Sequence, residues 1–92
     1  MLKDYEEEVL MRMLDKGVIG MDYTSTERIA SKIKWVELAS KYRVKKSFQS
    51  VIRELVNKLV VTDHGKSGRV VSLTKLGVDY VHELKKEKET SA

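Results

Sequence analysis

Glu37-Leu-Ala-Ser-Lys-Tyr-Arg-Val-Lys-Lys-Ser-Phe-Gln-Ser-Val-Ile-Arg-Glu-Leu-Val-Asn-Lys-Leu-Val-Val61 places two amphipathic segments on either side of a basic hinge. The second segment is the clearer. From Lys45 to Leu59, the side chains of Phe48, Val51, Ile52, Leu55 and Leu59 recur at helical spacing on one stripe. Lys46, Gln49, Ser50, Arg53 and Asn57 fall across from it. The pattern predicts a helix over 45–58 with one buried face and one polar face. In the first segment, Leu38, Ala39 and Tyr42 share a face with Trp35 just upstream. That face does not continue the one defined by Ile29 and Ile33, because Trp35 lies roughly 240° around from Ile29 at 100° per residue. The spacing therefore predicts two helices meeting near Lys34–Trp35, although neither Gly nor Pro stands there.

The flanks supply the other elements. Leu2, Tyr5, Val9 and Met13, with Leu10 and Leu14 alongside, predict a helix over 2–16. Glu6, Glu7 and Glu8 fall in its early turns, where carboxylates favour the helix dipole. Gly17 can take the left-handed conformation that stops a helix. Val18–Tyr23 is long enough for one short strand. Thr24-Ser-Thr-Glu27 has the spacing of a capping box, with Thr24 as the cap of the next helix. Beyond Leu59, the β-branched runs Val60–His64 and Arg69–Leu73 flank Gly65-Lys-Ser-Gly68 and predict a hairpin over 60–73. Thr74 is placed to cap a last helix over 75–87, in which Leu76, Tyr80 and Leu84 align beside Val81. No repeat or linker interrupts the chain, so residues 1–92 are expected to form a single α+β domain.

This order of elements resembles the winged helix-turn-helix family of archaeal and bacterial transcription regulators. Two motifs carry the likeness: the stretch 37–61, similar to an "ELA" helix, a turn and a basic helix ending in "L..KLVV", and Leu73-Thr-Lys-Leu-Gly77, similar to the "LT..G" that follows the wing. With the hairpin, the resemblance spans about residues 37–80. The chain departs from the family at Arg43, where Gly is frequent, and in having more helical sequence before the turn than a minimal domain. Either 24–34 is an added helix and 35–42 the helix before the turn, or 24–34 is that helix and 35–43 an insertion. Both leave 45–58 as the recognition helix and 60–73 as the wing. The resemblance implies sequence-specific binding of double-stranded DNA and a role in transcription regulation.

Charge agrees with an anionic partner. Residues 1–27 carry three Lys/Arg against seven acids, whereas residues 28–69 carry eleven against three. A DNA ligand would meet the middle of the chain. The candidate contacts there are Lys45, Lys46, Ser47, Gln49, Ser50, Arg53 and Asn57, a polar helix face suited to the major groove. Lys45 and Lys46 fall at the expected helix start, where backbone N–H groups also attract phosphate. Gln49, Arg53 and Asn57 follow at i, i+4 and i+8, with Arg suited to guanine and the amides to adenine. Lys66 and Arg69 flank the wing tip and are candidates for backbone or minor-groove contact.

Other chemistry finds no support. Without Cys there is no disulfide, thiolate zinc site or thiol nucleophile. His64 and His82 stand alone, and Gly65-Lys-Ser-Gly68 lacks the longer phosphate-binding pattern and its following helix. Neither an enzyme, a cofactor nor a metal is expected. No apolar run approaches the roughly 20 residues that span a bilayer, and Met1–Glu8 lacks the hydrophobic stretch of a leader, so a cytoplasmic protein without membrane contact is expected. A homodimer would supply a second DNA half-site, with Leu2, Tyr5, Val9, Tyr80 and Leu84 as its surface. A winged-helix module that docks on proteins, or serves a larger nucleic-acid-processing complex, is the alternative, because fold does not fix function; RNA binding ranks third.

Overall fold

Between Thr26 and Tyr42 the chain breaks where its apolar faces diverge. In the computed structural model, which describes residues 2–65 and 69–90, helix α2 (Thr26–Lys32) ends one turn before helix α3 (Trp35–Tyr42) begins. Lys34 makes the corner in the left-handed region, with φ 57° and ψ 56°. Arg12 reaches over from helix α1 (Asp4–Asp15) and donates from Nη1 to the Ile33 carbonyl at 2.7 Å, satisfying a backbone acceptor that the break leaves open. Because the chain turns there, Ile29, Ile33 and Leu38 are all buried, which one straight helix could not achieve. Arg43, at φ 55°, ends α3 in the left-handed conformation that glycine adopts most readily.

Helix α4 (Phe48–Asn57), strands β2 (Val61–His64) and β3 (Val70–Leu73), and helix α5 (Lys75–Thr90) follow. With strand β1 (Thr24–Ser25) they complete an α+β fold of five helices and a three-stranded antiparallel sheet among the described residues. The sheet order is β1-β3-β2, with Thr24 opposite Val71, Val61 opposite Leu73 and His64 opposite Val70. Val61, Val71 and Leu73 are buried in a core shared with Val9, Leu10, Met13, Val51, Ile52, Leu55 and Val81. Tyr23 stacks on the His64 ring at a centroid distance of 4.3 Å.

Three expectations are corrected. Val18–Tyr23 is not a strand: Gly17 and Gly20 both take positive φ, and the segment meets the end of β3, where Leu73 N–H donates to the Val18 carbonyl at 2.8 Å and the Ser72 hydroxyl donates to the Gly20 carbonyl at 2.8 Å. The strand comes later, at Thr24–Ser25, so Thr24 is engaged in the sheet and Ser25 caps α2, accepting from Arg28 N–H at 3.2 Å. Val9 is fully buried within the chain and offers nothing to a second copy.

The Leu73–Gly77 motif has a mechanical role. Thr74 Oγ1 accepts from Gly77 N–H at 3.0 Å, capping α5, and donates to the Leu59 carbonyl at 2.7 Å. Thr74 N–H also donates to the Val60 carbonyl at 3.1 Å. Gly77 lies so close to this segment that a Cβ would stand 2.1 Å from the Val60 carbonyl oxygen. The start of α5 is thereby docked on the exit of α4, which holds the sheet and α4 in one relation.

Candidate nucleic-acid interface

Phe48, Val51, Ile52 and Leu55 bury one face of α4, each large apolar side chain contributing about 1.5–3 kcal/mol by leaving water. The opposite face is thereby presented outward. Ser50, Arg53 and Asn57 lie on it and are exposed. Ser47 does not belong to the helix but caps it, accepting from Ser50 N–H at 3.2 Å, while its hydroxyl meets that of Ser50 at 3.1 Å. The expected start at residue 45 is thus three residues early, because the capping serine sets the first turn. Lys45 is exposed in the segment before the helix.

Two of the expected donors are engaged elsewhere. Lys46 turns back along α4 and pairs with Glu54. This hydrogen bond raises the Lys46 ammonium above its ordinary 10.5 and lowers Glu54 below its ordinary 4.5, so each holds the other charged. Lys46, expected among the DNA contacts, is thus also a member of an exposed ion pair. Gln49 is half-buried, and its Oε1 accepts from Thr26 Oγ1 at 3.0 Å. That bond corrects the picture of Gln49 as an outward reader aligned with Arg53.

Arg69, far along the chain from α4, lies beside it in space. It stands exposed at the entry to β3, and its carbonyl accepts from Thr26 N–H at 2.8 Å. Thr26, Glu27, Ala30, Phe48, Gln49, Arg53 and Arg69 line one open groove of about 530 Å³ between α2, α4 and the root of the hairpin. Among the described residues, neither Arg53 nor Arg69 takes part in an ion pair. Two guanidinium groups on one open groove suit a phosphodiester or a base edge; each can donate two parallel hydrogen bonds. Lys66, the other wing candidate, lies outside the described residues. Sequence reasoning missed Thr26, which it treated only as part of a cap; nothing in the local pattern points from Thr26 to Gln49 or Arg69.

The residues expected at a dimer surface lie on or beside α1 and α5, which pack against each other. Leu2 and Tyr80 line a second depression of about 340 Å³ with Lys58, Val60 and Leu76. Tyr5 and Leu84 are half-buried, and the Tyr80 hydroxyl donates to Glu7 at 2.8 Å. No cluster of three or more His, Cys, Asp or Glu able to hold a metal occurs among the described residues, and no helix there is long and apolar enough to cross a membrane. Comparison of the chain with family models, with curated proteins and with solved structures produced no match.

Proposed function

We propose that this chain is a winged helix-turn-helix protein that binds double-stranded DNA sequence-specifically and acts as a transcription regulator. The observation that carries the reading is the convergence of Arg53 and Arg69 on one groove beside the exposed face of α4. The order of elements and the β1-β3-β2 sheet are compatible with it. In this reading α4 is the recognition helix and enters the major groove, where Ser50, Arg53 and Asn57 meet base edges. Helix α2, bonded to α4 through Thr26, takes the supporting position, and α3 is the addition. Lys45 and Arg69 meet phosphates, and the sequence adds Lys66 as a further phosphate donor. Two-fold pairing would present two such helices to two half-sites, and sedimentation velocity at micromolar concentration tests it.

Fluorescence anisotropy with a random-sequence duplex at two salt concentrations tests the electrostatic part. Log affinity should fall linearly with log salt as phosphate contacts release counterions. Salt-independent binding, or none, overturns the reading.

A further inference from the structure

Thr26 stands where sheet becomes helix, and its two polar ends reach two distant parts of the groove. Its backbone N–H donates to the Arg69 carbonyl at 2.8 Å, and its hydroxyl donates to Gln49 Oε1 at 3.0 Å. The residue is 4% exposed, so its own end of each bond is sheltered from water. Its neighbour Ser25 is paired with Val70 in the sheet and caps α2, which leaves Thr26 little freedom of its own. Gln49 is one helical turn before Arg53, and Arg69 immediately precedes β3. One side chain and one amide thus connect the α4 turn that carries Arg53 to the strand entry that carries Arg69.

We infer that Thr26 is a positioning residue that holds the recognition helix and the wing root in a single register, so that Arg53 and Arg69 meet DNA together. The inference rests on the DNA reading above. Burial alone does not supply this register. Val51, Ile52 and Leu55 anchor α4 by apolar contact, which is non-directional and tolerates small rotations and slides. A hydrogen bond is directional, and a sheltered one is expensive to leave unmade. An apolar pair at 26 and 49 would pack the same space at similar stability. What the hydroxyl and the carboxamide add is orientation, and recognition groups lose function when misplaced by about 1 Å.

The test compares the native chain with Thr26→Val, which keeps shape and loses the hydroxyl, and Thr26→Ser, which keeps the hydroxyl. The probes are a duplex enriched from a randomised pool by the native protein and a random duplex of equal length. Thr26→Val should bind the enriched duplex roughly tenfold more weakly and the random duplex within about twofold of native. Its salt slope should be native, since no phosphate contact is lost. Thr26→Ser should recover most of the affinity. In the absence of DNA, amide hydrogen exchange in Thr26→Val should quicken together at residues 50–53 and 69–71 and stay native in α1 and α5. Should Thr26→Val fail to fold, Gln49→Met removes the acceptor from the half-exposed side and must reproduce the same pattern. Native exchange at both segments, or equal loss on both duplexes with a changed slope, overturns the inference. A native protein that binds neither duplex refutes the DNA reading instead, and the exchange measurement still decides whether Thr26 couples the two segments.

Discussion

The two edges of α4 treat their cations in opposite ways. Along the edge facing α1, Lys46 pairs with Glu54, and Lys58, just past the last turn, reaches Glu6 with Nζ at 2.9 and 3.2 Å from its two oxygens. Glu6 is completely buried and also accepts from Lys3 N–H at 2.8 Å. Along the edge facing the hairpin, Arg53 and Arg69 open onto a groove and have no ion-pair partner among the described residues. Charge summed along the chain is therefore not charge offered to a ligand. Of the eleven cations between residues 28 and 69, Lys46 and Lys58 are neutralised within the fold, and the first edge is structural while the second is open to a polyanion.

The largest effect should come from breaking the structural edge at its buried end. Lys58→Met leaves the Glu6 carboxylate buried without its cation, a change that should destabilise the fold by about 2–4 kcal/mol, less than for a fully buried pair because Lys58 is partly exposed. Urea denaturation measures it, and an unchanged midpoint would mean that Lys58 does not hold Glu6. On the open edge, Arg53→Ala should leave the unfolding midpoint native yet weaken an enriched duplex by roughly 1–3 kcal/mol and relax base preference at one position. Equal losses on enriched and random DNA would reassign Arg53 to phosphate.

Salt dependence sharpens the contrast further. Lys66→Ala/Arg69→Ala should flatten the plot of log affinity against log salt by up to about two units, one for each lost phosphate contact. Lys46→Gln/Glu54→Gln, which removes a cation already matched by an anion, should leave that slope native. A slope altered as much by the second pair would erase the distinction between the edges.

The smallest effect concerns Tyr80, which joins α5 to the acidic side of α1. Burial, then the hydrogen bond to Glu7 and the charge of that carboxylate, raise its hydroxyl above the ordinary 10.0. The folded state thus holds this proton more tightly than the unfolded state. The associated stability is complete below pH 10 and is lost as the pH rises through the raised value. Tyr80→Phe should therefore lose less stability than the native chain between pH 8 and strongly alkaline conditions, by a few tenths of a kcal/mol. Parallel alkaline shifts in the two proteins would show that neither burial nor Glu7 biases this proton.

Much of the architecture was readable from local pattern because its causes are local. The stripe of Phe48, Val51, Ile52 and Leu55, the diverging faces of Ile29 and Trp35, the stop at Gly17 and the cap at Thr74 act within one or two turns of chain. The errors lie where a neighbour in space decides. The cap passes from Thr24 to Ser25 because Thr24 pairs with Val71, and Ile19 forms an isolated bridge to Leu73 of β3.

By itself the sequence determined the helical periods, the break near Lys34, the hairpin flanks and the polar face of α4, since side-chain spacing and backbone preference need no distant partner. Only the tertiary structure decided which polar groups remain available. Lys46 and Lys58 met carboxylates, Gln49 met Thr26, and Arg69 came to share a groove with Arg53. These outcomes depend on which faces meet when the core closes. Hydrogen bonds and ion pairs act over a few ångströms in space, whatever the distance along the chain.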